Sequence, residues 1–227
     1  MSKLNSENNS SNSVYFSFYV TYILLLTTAT ITFIEAIRTQ NPTIRHVLNL
    51  ETCISLVAGY FYSVFVAKID EKENVNMDWN EITKTRYIDW CITTPLMLLT
   101  LCIVLGNNIK KPVYFTTFLS IVILNYIMLY IGYLGEQQQI ERIYASIFGF
   151  IPFFGMFYII FSRFVQPKFR IDNYVLYGIY LFVWSLYGIV YLFQEETKNI
   201  FTNILDLIAK CFIGISLWGY YTKIFVF

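Results

Sequence analysis

Long apolar runs alternate with short polar ones along this chain, and the apolar runs have the length of membrane spans. A hydrocarbon layer about 30 Å thick takes roughly 20 residues of helix. Seven stretches meet that requirement: Val14 to Ile37, Thr43 to Lys68, Ile82 to Gly106, Pro112 to Leu134, Ile140 to Phe164, Asn173 to Phe193 and Ile200 to Phe225. The connections are short, so the pattern predicts an all-α membrane protein, a seven-helix bundle over residues 14–227 behind a polar N-terminal tail, residues 1–13. That tail is rich in Ser and Asn and lacks the charged region and cleavage site of a signal peptide, so it reads as a short exposed segment. Asn8 and Asn9 each open an Asn-x-Ser sequon, a weak signal in such a composition.

Composition agrees. Hydrophobic residues make up 56% of the 227 and charged ones 14%, too apolar for an ordinary soluble domain. A net charge of +1 leaves no electrostatic footprint for nucleic acid, so membrane lipid is the expected surrounding. Cys53, Cys91, Cys102 and Cys211 lie in apolar runs without a CxxC pair or a His/Cys cluster, which predicts small core residues and no metal site. One set of loops carries Arg38, Arg45, Lys110, Lys111, Arg163, Lys168, Arg170 and Lys223. The opposite set carries Asp70, Glu71, Glu73, Asp78, Glu81, Glu136, Glu141, Glu195 and Glu196. Basic loops stay in the cytoplasm, so the N-terminus is expected outside and the C-terminus inside. The connection from Asp70 to Asn80 would then cap the external mouth, as a candidate hairpin.

Charges within spans carry the chemistry, because an ionisable group there costs at least about 2.5 kcal/mol. Glu35, Glu51, Arg86, Asp89, Asp206 and Lys210 lie in or near the spans. Lys210 sits roughly 15 Å into the last span, too deep to snorkel easily. Asp206 lies one turn earlier on the same face, and a structural ion pair is one reading. Arg86 and Asp89, three apart on the third span, add a second charge pair at similar depth. A desolvated lysine is a nucleophile for carbonyls, and the protonated Schiff base it forms needs a carboxylate nearby. Two carboxylates and an arginine around one such cation balance to zero. Trp90, Phe153, Trp184, Tyr187 and Tyr191 suit a long, flat, apolar ligand, although aromatics at helical spacing also serve as ordinary core.

The third span, Arg86-Tyr87-Ile88-Asp89-Trp90-Cys91-Ile92-Thr93-Thr94-Pro95-Leu96, resembles the R-Y-x-D-W-x-x-T-T-P-L signature of microbial rhodopsins, and Asp206-Leu207-Ile208-Ala209-Lys210 resembles their D-x-x-x-K motif. Trp184 with Tyr187 is similar to the family's aromatic pair at the ring of retinal, and Met128 with Gly132 has the spacing of a further pocket pair. The resemblance implies all-trans retinal bound covalently at Lys210. It makes Asp89 the counter-ion and proton acceptor, Asp206 the second counter-ion and Arg86 the external gate. Thr93 and Trp90 would shape the counter-ion and the pocket floor, while Tyr87 and Tyr187 would hydrogen-bond near Asp206.

Some positions depart from the family's proton pumps. Thr100 stands where a pump has a carboxylate that returns the proton, Gly188 replaces a proline, Tyr191 replaces a tryptophan, and Lys198 stands at one position of the external glutamate pair. Glu51 is the candidate replacement donor, since burial away from a fixed cation keeps a carboxyl protonated in the dark. A neutral acid bonded to a backbone carbonyl is its structural reading. Arg45 and Glu51, with the Asp-Thr-Thr pattern, are similar to rhodopsins encoded by large viruses of protists. That resemblance implies a homo-oligomer, a pentamer around a central pore, in a membrane of the infected host cell. Arg45 would face the pore's vestibule or be a loop cation, Glu35 would meet a neighbouring subunit or the interface, and His46 would sit at the surface or relay protons. The functional expectation is a light-driven outward pump of protons, with a light-gated channel and a sensory photoreceptor as rivals.

Overall fold

The computed structural model describes residues 2–70 and 78–222, with side chains over 13–69 and 78–222. The hairpin expected between Asp70 and Asn80 falls largely outside the described residues, as do Lys223 and the side chains of Asn8 and Asn9. Among the described residues every regular element is helical, and seven spans are long and apolar enough to cross a membrane, the number expected from the hydropathy pattern. They are α1 (Ser2–Arg38), α2 (Pro42–Asp70), α3 (Trp79–Asn108), α4 (Phe115–Glu136), α5 (Arg142–Ile160), α6 (Ile171–Val190), and a last span built from α7 (Glu195–Asp206) and α8 (Ile213–Thr222). Two wide π-helical turns interrupt the regular winding, Phe161–Val165 after α5 and Leu207–Phe212 between α7 and α8.

Helix limits differ from the apolar runs where polar residues turn inward. α7 starts at Glu195, ahead of the apolar run at Ile200, because Lys198, Asn199, Thr202 and Asn203 are buried. Glu195 and Glu196 in its first turn also suit the positive end of the helix dipole. α4 starts at Phe115, after Pro112, because the chain first reverses there. The Lys111 amide returns to the Gly106 carbonyl at 2.8 Å, and Lys110 adopts a φ of 58°. A side chain at Gly106 would meet the Lys111 carbonyl at 2.6 Å, which leaves room for glycine alone.

The chain divides into two compact units. The first joins the described residues up to Arg86 with those from Phe193 onward. Its core holds Phe18, Leu25, Ala58, Tyr62, Phe65 and Cys211. The second runs from Tyr87 to Leu192. There Asn173, fully buried, donates to the carbonyls of Leu105 and Phe164, both at 3.0 Å, and accepts from Asn108 at 2.8 Å. One amide thus ties the end of α3, the π-turn after α5 and the start of α6.

Large apolar side chains such as Phe16, Tyr60, Phe115, Ile151, Tyr158 and Phe182 are more than half exposed on the chain's outer faces, as lipid-facing helices require. Cys102 and Cys211 are buried as expected, but Cys53 and Cys91 are exposed, and all four are free thiols. The expectation that every cysteine is a core residue fails for a physical reason: a small apolar thiol is as compatible with a hydrocarbon surface as with a core.

Candidate functional site

In the first unit Lys210 lies inside the π-turn, 1% exposed. Its Nζ is 3.4 Å from Asp206 Oδ2, so the one-turn spacing seen in the sequence becomes a contact. Wide turns of this kind are frequent at functional positions, where the extra residue they carry offsets the loss of regular hydrogen bonding.

Asp206 is 1% exposed and is the centre of a network. The Tyr62 hydroxyl donates to Asp206 Oδ2 at 2.8 Å, and Arg86 Nη1 lies 3.7 Å from the same oxygen. Arg86 also donates to the Tyr62 hydroxyl at 3.1 Å and to the side-chain oxygens of Asn199 and Asn203 at 3.0 and 2.9 Å. Asn203 in turn donates to Ser17 on α1 at 2.9 Å. Three rings surround the guanidinium, with Phe65, Phe18 and Tyr62 centroids 5.1, 5.3 and 5.7 Å away. Cation–π attraction from desolvated rings compensates part of the lost hydration of a charge only 5% exposed.

Sequence reading missed Tyr62, Asn199, Asn203 and Ser17. Tyr62 could have been found, since it lies on the face of α2 that carries Glu51, eleven residues or about three turns on. That face is buried throughout at Glu51, Ser55, Ala58 and Tyr62.

Glu51 is 2% exposed. Its Oε2 lies 3.0 Å from where a side chain on Gly214 would begin, and Gly214 follows Lys210 by four residues. The Cys211 thiol hydrogen-bonds the Thr28 hydroxyl, with Lys210, Asp206 and Glu51 in its neighbourhood. Two carboxyls therefore flank Lys210 along its own helix, Asp206 before it and Glu51 after it. Lys198 pairs with Glu195 at 2.9 Å, so the residue at the external-glutamate position neutralises an acid. Near the other end Arg45 donates to the Thr39 carbonyl at 2.7 Å, Glu35 lies 3.7 Å from Arg38, and His46 is exposed.

In the second unit Asp89, Thr93 and Thr100 are fully buried on α3, and Thr93 Oγ1 donates to the Asp89 carbonyl at 2.9 Å. Trp90 packs edge-on against Tyr187 at 5.7 Å and beside Tyr87 at 5.2 Å. Phe153, Phe157, Trp184 and Tyr180 form a second ring series. Met128 and Gly132 are half-buried on α4. The Tyr191 hydroxyl donates to the Gly132 carbonyl at 2.9 Å, and a side chain at Gly132 would meet the Tyr87 hydroxyl at 2.8 Å. Gly188, where pumps have proline, faces Phe150: a side chain there would start 2.5 Å from the ring. The ring fills the space a proline would need.

Seven apolar helical spans with a lysine–carboxylate pair buried in the last define a helical membrane protein built around a buried amine. Comparison with known proteins makes this specific. Residues 12–224 match the family described as bacteriorhodopsin-like protein. The chain is 45% identical to the viral rhodopsin OLPVRII, whose crystal structure superposes with a TM-score of 0.87 over 94% of this chain and 99% of that one. It is 27% identical over 157 residues to opsin-like protein carO of Fusarium fujikuroi, covering 63% of this chain and 49% of that protein. To bacteriorhodopsin of Halobacterium salinarum it is 26% identical over 155 residues, 61% of this chain and 56% of that protein. The chain spans only about half the length of these curated relatives. The chain belongs to the bacteriorhodopsin-like family of microbial rhodopsins: it is an integral multi-pass membrane protein, and its cofactor is retinal.

The donor set fits that group. A buried primary amine beside a carboxylate is what a protonated Schiff base requires, and the Nε1 of Trp184 is buried without a hydrogen-bond partner among the described residues, as suits an indole facing an apolar polyene.

Proposed function

We propose that this protein is a light-driven outward proton pump. The observation that carries the reading is the two-sided arrangement about Lys210, with the Asp206, Arg86 and Tyr62 network on one side and Glu51 on the other. A pump needs an acceptor and a donor on opposite sides of the site that changes protonation. Along α2, Tyr62 and Glu51 are eleven residues apart, about 16 Å, which separates the two sides by half a bilayer.

Retinal bound through Lys210 supplies the light-driven isomerisation that changes the surroundings of the Lys210 nitrogen. Asp89 takes the proton from that nitrogen. Asp206, held by Tyr62, remains the second counter-ion, and Arg86 closes the external side. Glu51 returns a proton from the cytoplasmic side, replacing the carboxylate absent at Thr100. Thr93 holds the backbone of α3 beside Asp89. Tyr87, Trp90, Met128, Gly132, Phe153, Trp184, Tyr187 and Tyr191 line the polyene and its ring. Excess Lys and Arg in the loops on the Glu51 side supports a cytoplasmic C-terminus. Protons are the transported species, and the protein acts as a homo-oligomer, a pentamer, in a membrane of a virus-infected host cell. The 45% identity to a viral rhodopsin supports that last assignment.

The test is light-induced pH change in a suspension of cells expressing the protein with retinal. External acidification that a protonophore abolishes is expected. Alkalinisation, or no change while the pigment still bleaches normally, overturns the reading.

A further inference from the structure

Glycine within an apolar helix costs about 1 kcal/mol relative to alanine, so its presence calls for a reason. None of the glycines has a positive φ, and backbone conformation therefore does not demand glycine at 214. Space does. A methyl group on Gly214 would stand 3.0 Å from Glu51 Oε2 and 3.2 Å from Thr28 Cγ2, whereas one on Gly149 or Gly178 would meet nothing within 4 Å. Glu51, Thr28 and Gly214 are all buried.

The walls of this notch are stiff. Thr28 is tied to Cys211 through its hydroxyl, and its carbonyl accepts from Thr32 at 2.9 Å. Thr32 and Thr52 share a buried hydrogen bond of 2.9 Å that joins α1 to α2 beside Glu51. A side chain added at position 214 would meet a fixed threonine on one face and the carboxyl on the other. The carboxyl is the part that can move.

We infer that Gly214 seats Glu51: the missing side chain admits the carboxyl to the helix of Lys210, about one turn beyond the lysine, and any side chain there displaces the acid. This rests on the reading of Glu51 as proton donor. Gly214 is a positioning residue, with Thr28 and Cys211 as its frame. The inference also accounts for how an acid on α2 can replace one expected at Thr100 on α3, because a donor acts only if its oxygen reaches the path.

The experiment uses the full chain and follows Glu51→Gln, Gly214→Ala and the double variant Glu51→Asp with Gly214→Ala. Two quantities are measured: the rate of proton return to the Lys210 nitrogen after a flash, and the carboxyl C=O stretch assigned to Glu51, read in retinal-free protein and lost in Glu51→Gln. Gly214→Ala is expected to shift the C=O band and to slow proton return about tenfold or more, the scale of a small displacement of a reacting group. Azide, a diffusible weak acid, should restore the rate. The double variant, whose shorter acid clears the methyl, should return faster than Gly214→Ala alone. An unshifted band and a native rate in Gly214→Ala, with Glu51→Gln slow, overturn the seat and leave the donor standing. A native rate in Glu51→Gln overturns the donor, while the band in Gly214→Ala still decides the seat. If Gly214→Ala yields no folded protein, recovery of folding in the double variant supports the seat and failure to recover overturns it.

Discussion

Arg86 keeps its charge at depth because every direction its guanidinium presents is answered, by Asp206, Tyr62, two carboxamides and three rings. Asn203 is the connecting piece, since it also reaches Ser17. Asn203→Leu should leave Arg86 and Tyr62 short of partners and lower stability by about 1–3 kcal/mol, read as earlier thermal bleaching of the pigment. A bleaching temperature equal to the native one would show that other groups compensate. Asp89→Asn should stop outward transport and move the visible band to longer wavelength, because a negative charge near the bound cation stabilises the ground state more than the excited one. An unmoved band would remove Asp89 as counter-ion. At this scale the sequence disclosed the charged residues well, since ions in apolar spans stand out. Asn199, Asn203 and Tyr62 did not, because amides and tyrosines occur in such helices without a buried role, and only the fold shows which ones face Arg86.

Helices were legible from hydropathy in number and approximate position, and the residues of the D-x-x-x-K motif fell together as helical spacing requires. The two π-turns were not legible. A periodic reading assumes regular winding, whereas a wide turn reflects how neighbouring elements take up its freed carbonyls, as Asn173 does at Phe164. Gly188 is the same kind of case: its loss of the family's proline became intelligible only once Phe150 was seen against it. Gly188→Ala should therefore destabilise by about 1–3 kcal/mol through overpacking, and Phe150→Leu should relieve it. Thermal bleaching of both single variants and the pair checks the coupling. Additive effects would place the ring elsewhere.

At the scale of the whole chain, the described spans expose large apolar side chains and two carboxyls flank one lysine, the features on which the proposed transport rests. Patch-clamp recording should give a photocurrent of one direction over a wide voltage range. A current that reverses with voltage would mark a channel. Solubilised pigment should be cross-linked into a homo-oligomer, and a chain that stays monomeric at every concentration would remove the pentamer. The fold class was readable because bilayer thickness sets span length directly, but the seat of Glu51 depends on the close approach of α1, α2 and α8, which spacing within one helix cannot reveal. The wide turn at Leu207–Phe212 adds one more property. It holds a spare residue, and Phe212 within it is 66% exposed. Deleting that residue would return the turn to regular winding and leave the segment beyond it facing as before, because a wide turn absorbs its extra residue within one circuit of the helix, so Gly214 stays at Glu51 and Lys210 beside Asp206. In this span the added residue sets local width rather than heading, so deleting Phe212 should leave proton return from Glu51 near its native rate after a flash, and a lost rate would show that the turn itself sets the register.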